Sequence, residues 1–155
     1  MKVLAPLDEG QFAAFIETAV ADYAADKVSS GQWAEAQSLE LSRKNFEELL
    51  PQGLDTPENY LFDVLDDQGA SVGTLWIGVK EYAGERAAYI YDIWISPPFR
   101  RRGHAKRALL AAEEEARKLG FSGIGLHVFG HNSGARALYE ALGYCATNIN
   151  MFKTL

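Results

Sequence analysis

The sequence predicts an α/β (α+β) fold in a single domain over residues 1–155, built around a mixed sheet. Three observations carry this reading. A chain of 155 residues can bury one sizeable core without disulfide staples. The apolar spacing switches between helical and strand periods several times along the chain. Finally, a long apolar run at 87–95 is followed by a strong helix and a second apolar run. That strand-helix-strand unit should be parallel, with a right-handed crossover.

Each element has its own signal. Residues 3–5 form a short strand candidate that Pro6 ends. From Asp8, a good N-cap, Phe12, Phe15, Ile16, Ala19 and Val20 recur at helical spacing. Gly31 starts a second helical pattern through Trp33, Ala36, Leu39, Phe46, Leu49 and Leu50, stopped by Pro51 and Gly53. Residues 60–65 and 72–79 read as a hairpin around Asp66-Asp67-Gln68-Gly69. A turn at Gly84 leads into 87–95, which should be central and covered on both faces. Residues 101–119 are rich in Ala, Leu, Glu, Arg and Lys and end at Gly120, a helix with its C-cap. Residues 124–129 read as a short buried strand. Asn132 caps a helix running through Leu142, closed by Gly143, and 145–152 is a last strand candidate. The total is six strands and four helices.

Composition narrows the function. The net charge of −6 argues against bulk nucleic-acid binding. No apolar run approaches the roughly 20 residues of a membrane span, so no membrane partner is expected. The opening six residues, broken by Pro6, are too short for a signal peptide. One cysteine, Cys145, leaves no internal disulfide and makes a metal cluster unexpected. Together these favour a cytoplasmic protein. Basic residues are nevertheless concentrated: Arg100, Arg101, Arg102, Lys106 and Arg107 fall within eight positions. Such a knot suits a small polyanion, although a solvated helix start is the plain alternative.

The knot lies in the turn between strand 87–95 and the next helix. A helix start offers backbone N–H groups without internal partners and the positive end of the dipole. Gly103 lets a phosphate approach the backbone, and small Ala105 keeps the next turn open. A dinucleotide fold would need Gly-x-Gly-x-x-Gly, and a phosphate-loop NTPase Gly-Lys-Ser/Thr; neither is present. The stretch Arg100-x-x-Gly103-x-Ala105, entered from Ile93-Trp94-Ile95-Ser96-Pro97, resembles the Arg/Gln-x-x-Gly-x-Gly/Ala signature of the GNAT N-acetyltransferase superfamily. Downstream, residues 132–144 resemble its Asn-x-x-Ala-x-x-Leu-Tyr-x-x-x-Gly-Phe segment, with Tyr144 in the last place. Both motifs stand in order within residues 60–155.

The resemblance implies a GNAT fold: a mostly antiparallel twisted sheet of six or seven strands, about four helices, and a splayed parallel strand pair at the centre. It implies an acetyl-CoA-dependent N-acetyltransferase acting on a primary amine in a ternary complex, without a metal. Ile93, Trp94 and Ile95 would bond the pantetheine arm as an added strand. Arg100, Arg101, Arg102, Gly103, His104, Ala105 and Lys106 would hold the pyrophosphate. Asn132 would bond the cofactor or cap its helix. Tyr139 matches the family's frequent general acid, and it contacts the cofactor. The base is left open between water, Asp92 and His127. Asp92 is a charge inside an apolar strand, and His127 has a fitting intrinsic pKa. Trp33, Trp76 and Tyr82 could line an aromatic acceptor wall, although a core role is the commoner fate for such residues. Glu17, Asp22, Glu35, Glu40 and Glu47 make the first half acidic, which suits a cationic amine or merely solvates helices. The acceptor, a small molecule or a protein amine, stays open, as does a homodimer. A non-catalytic acyl-CoA sensor or scaffold of the same fold is the alternative function.

Overall fold

A computed structural model describes residues 2–155. The elements run β1 (Leu4–Pro6), α1 (Glu9–Ser29), α2 (Glu35–Leu49), β2 (Tyr60–Leu65), β3 (Ser71–Tyr82), β4 (Glu85–Ile95), α3 (His104–Lys118), β5 (Ile124–Leu126) and α4 (Ser133–Ala141). The strands form one sheet in chain order, antiparallel from β1 to β4 and parallel between β4 and β5. The mixed α/β sheet with four helices is therefore present, with five strands rather than six or seven.

Asp8 caps α1 as expected. Its carboxylate accepts from the Gln11 N–H at 2.8 Å, and the Gln11 side chain accepts from the Asp8 N–H at 2.9 Å. The apolar face of α1 buries Phe15, Ala19, Val20 and Ala24. The second helix begins at Glu35 and not at Gly31, because Gly31 has φ +78 and closes the end of α1 instead. Ser42 then donates to the Val20 carbonyl at 2.7 Å, locking α2 onto α1.

The sheet carries a core on each face. Phe15, Val20, Phe46, Leu61 and Trp76 fill the space under α1 and α2. Val72, Leu75, Ile77, Ile90, Ala108, Leu109 and Ala112 fill the space under α3. Small residues on α3 let that helix lie close to the sheet. Gly73 allows a similar approach between strands: a Cβ there would lie 2.1 Å from the Trp94 carbonyl oxygen.

Two strand expectations fail, for one physical reason. Residues 124–129 were expected to be strand, but the ladder stops at Leu126. Residues 145–152 form no strand and are exposed throughout. Thr147, Ile149 and Phe152 favour extended backbone, but a strand exists only when another strand supplies its hydrogen bonds. No such partner lies beside them among the described residues. In consequence β4 is not covered along its whole length. Ala87, Ala88, Ile90 and Ile95 are buried, whereas Tyr91, Asp92, Ile93 and Trp94 are only half-buried.

Candidate functional site

The ladder between β4 and β5 ends at Ile90↔Leu126. On its other edge β4 stays paired with β3 through Trp76↔Asp92, Leu75↔Ile93, Thr74↔Trp94 and Gly73↔Ile95. Ile93 to Ile95 thus keep one backbone edge off the β5 ladder, beside the opened gap. A bulge adds to the divergence. Trp76 faces Asp92 while Ile77 faces Ile90, so Tyr91 is an extra residue on β4. It turns onto Trp76 in a stack with centroids 4.5 Å apart, and Tyr89 meets Tyr91 edge-on at 4.8 Å.

At the end of β4 the chain makes a 3₁₀ turn over Pro97–Phe99 before α3. The helix starts at His104, three residues later than its composition suggested. Arg101 (φ +61) and Gly103 (φ +84) both adopt left-handed backbone, which interrupts any helix. Gly103 takes the N-cap position and offers no side chain to the first-turn amides. A Cβ built on it would meet nothing within 4 Å. The start of α3 is therefore without a side-chain cap and has open space beside Gly103, an arrangement that suits an anion.

The basic side chains divide in their roles. The Arg100 guanidinium donates to the Ile95 carbonyl at 2.7 Å and pins the turn. Arg102 lies over the Phe99 ring at 6.0 Å, and Arg107 pairs with Asp67 at 3.0 Å. His104 leans on Phe99 at 6.4 Å. Ala105 packs against the α3-side core. Arg101 and Lys106 make no ion pair with a described residue and project from the cradle.

Asp92 makes no hydrogen bond or ion pair among the described residues. Water still reaches part of it, yet protein surrounds it closely. Desolvation first, then the charges of Asp22 and Asp26, raise its pKa from 3.8 to about 7. Tyr139 on α4 packs against the α3-side core. Burial, then the Asp92 charge, raises its pKa, so the phenol keeps its proton at neutral pH. Asp92 and Tyr139 therefore lie near enough for the Asp92 charge to act on the phenol. His127 follows β5, exposed, edge-on to Phe129 at 4.8 Å. Burial of part of its ring, then Lys27 and Lys80, lowers its pKa, so it is neutral at pH 7. No coupling links it to Asp92 or Tyr139. The Asn132 side-chain oxygen Oδ1 accepts from the Ala135 N–H at 3.2 Å, capping α4.

Trp33, Trp76 and Tyr82 lie apart from one another, closer to the core role than to a shared wall. Trp76 is 1% exposed and belongs to the core. Trp33 packs edge-on against Tyr23 at 5.5 Å. Tyr82 lies over Gly125, where a Cβ would be 2.1 Å from its hydroxyl. Tyr89 and Tyr91 are on the same strand as Asp92. Sequence reasoning also passed over Asp26 and treated Asp22 as part of an acidic helix. Their i, i+4 spacing was visible, but nothing local showed that this face of α1 turns toward Asp92.

Comparison with known proteins decides the family. The sequence model of the acetyltransferase (GNAT) family matches residues 10–144. The chain belongs to that family. Two Bacillus subtilis proteins, the uncharacterized N-acetyltransferases YycN and YdgE, are 37% and 36% identical to it. The matches cover 99% and 98% of this chain and 98% and 97% of those proteins. The crystal structure of YycN matches this GNAT chain with a TM-score of 0.92, at 37% identity over 98% of this chain and 97% of that one. An acetyl transferase from Pyrococcus furiosus matches with a TM-score of 0.69, at 27% identity over 98% and 99% of the two chains. The protein is a GNAT-type acetyltransferase, a transferase of acyl groups. No helix among its described residues is long and apolar enough to cross a membrane.

Proposed function

We propose that the protein moves the acetyl group of acetyl-CoA to a primary amine by direct attack, with both substrates bound together. The observation that carries this is the open edge of β4 running into the uncapped start of α3. The first amides of α3, with Gly103 leaving room, would hold the pyrophosphate, and Arg101 and Lys106 would add charge. Ile93 to Ile95 would bond the pantetheine arm through their free backbone edge. Bound there, acetyl-CoA supplies an activated thioester. Arg100 and Asn132 hold the turn and α4 in shape and need not touch it.

Asp92 is the base we favour over His127. It lies at the gap, feels Tyr139, and has a pKa near working pH. In its ionised form it accepts a proton from the acceptor's ammonium, freeing the nitrogen lone pair. The new N–C bond forms as the C–S bond breaks, and the nitrogen sheds its second proton to water. Tyr139 donates its proton to the departing sulfur and recovers one from water. Asp22, Asp26 and Asp92 together favour a cationic acceptor at this cleft.

The test is acetyl-CoA consumption with a panel of small amines, peptides with free N-termini and lysine peptides. The proposal expects stoichiometric acetyl-amine and free CoA with at least one class. Tight acetyl-CoA binding with no acetylated amine in any class would overturn it.

A further inference from the structure

Helix α4 ends in a left-handed turn at Gly143, with φ +97. The turn hands the chain back to the helix. The Gly143 N–H donates to the Glu140 carbonyl at 3.1 Å, and the Tyr144 N–H donates to the Tyr139 carbonyl at 3.0 Å. This pair of bonds across a left-handed residue sets the side chain after the glycine against the last turn of the helix. Here that side chain is Tyr144. Its ring meets Tyr139 with centroids 5.9 Å apart and 62° between the planes.

Packing accounts for the Tyr144 ring but not for its hydroxyl. Phenylalanine would make the same contact, and it stands in this place in the pattern that residues 132–144 otherwise follow. The Tyr144 oxygen is buried and finds no hydrogen-bond partner among the described residues. A buried hydroxyl left unpaired costs stability, and native proteins seldom keep one. Burial first, then Glu113 on α3 and Tyr139 on α4, push its pKa up to about 12. Tyr144 therefore keeps its proton at working pH and can serve as a hydrogen-bond donor, not as an acid.

Beside it lies a group that would use such a donor. When Tyr139 gives up its proton, its oxygen carries a full charge in a largely desolvated place, and an anion there is held by hydrogen bonds. Asp92 on β4 opposes that charge. We propose that Tyr144 is a positioning residue for the proton donor, turning its O–H to the Tyr139 oxygen as that oxygen becomes a phenolate. The inference rests on the reading of Tyr139 as the general acid. No covalent bond of Tyr144 changes. The Tyr139 proton goes to the sulfur, the Tyr144 hydrogen bond steadies the charge left behind, and water then returns a proton to Tyr139.

Tyrosine labelled with ¹³C at Cζ reports the ionisation of each phenol in the ligand-free protein, without any acceptor. In Tyr144→Phe the ionisation midpoint of Tyr139 should rise by about one pH unit, because its phenolate loses a donor. The Tm should not fall, since Phe keeps the ring contact and removes an unpaired hydroxyl. With an amine taken from the acceptor panel, kcat should fall about 10-fold while KM for acetyl-CoA holds. Added to Tyr139→Phe, the same substitution should cost nothing further. An unmoved Tyr139 midpoint or a full kcat in Tyr144→Phe overturns the inference. So does a 10-fold loss that persists in the Tyr139→Phe background, which would give Tyr144 a role apart from Tyr139. Full kcat in Tyr139→Phe overturns the general-acid reading and this inference with it. A loss in Tyr139→Phe beside a normal Tyr144→Phe overturns this inference alone.

Discussion

Replacing Asp92 by Asn should stabilise the protein and disable it at once. Unfolded, this carboxyl ionises near 3.8; folded, near 7. Between those values the unfolded chain has released the proton and the folded one retains it, so raising the pH favours unfolding. The penalty is absent below about pH 3.8 and complete above about pH 7. Three pK units correspond to on the order of 4 kcal/mol. Asn keeps the shape and removes the charge, and it also relieves Asp22 and Asp26. At pH 8 the variant should gain about 2–4 kcal/mol, a rise of about 10 °C in Tm for a chain of this size. At pH 4 its Tm should match the wild type. In the same variant kcat/KM should fall by about 10²–10⁴, and the limb that rises through pH 7 in the wild type should vanish. Thermal scans at the two pH values and a pH–rate profile check both halves. Equal Tm differences at pH 4 and pH 8, or a retained inflection near pH 7, would refute the assignment.

Two further substitutions probe other parts of the site. Tyr139→Phe removes only the hydroxyl, so acetyl-CoA affinity by calorimetry should hold while kcat drops by about 10²-fold or more. The loss should shrink with an acyl thioester whose thiol leaves more readily. Gly73→Ala places a methyl 2.1 Å from the Trp94 carbonyl, a backbone atom that cannot swing away. It should cost about 3 kcal/mol in urea unfolding, and acetyl-CoA affinity should fall because the strand that would hold the pantetheine arm is displaced.

Local chemistry made most of the helices and the antiparallel strands legible. Asp8 with Gln11, and Asn132 with Ala135, are caps whose partners lie three residues away. The turn between β4 and α3 was visible for the same reason: Gly103 and the strand-to-helix change are adjacent in sequence. Its exact geometry was not, since the left-handed Arg101 delays α3 to His104. Long-range features escaped. The tail at 145–152 has strand propensity, but propensity cannot supply a pairing partner. Asp92 was conspicuous as a charge in an apolar strand. Its coupling to Asp22 and Asp26 depends on how α1 crosses the sheet, which no short window encodes. Trp33, Trp76 and Tyr82 stayed open in the sequence because aromatic spacing does not tell a core from a wall.

On the proposed reading, the start of α3 receives the diphosphate of acetyl-CoA through its backbone amides. Amide chemical shifts recorded while acetyl-CoA is titrated into ¹⁵N-labelled protein test it most directly. The largest downfield movements should fall on residues 101–106, with Ile93 to Ile95 following, and Gly103→Glu should abolish them at the same ligand concentration. Saturable binding that leaves the amides of 101–106 unmoved would contradict the account.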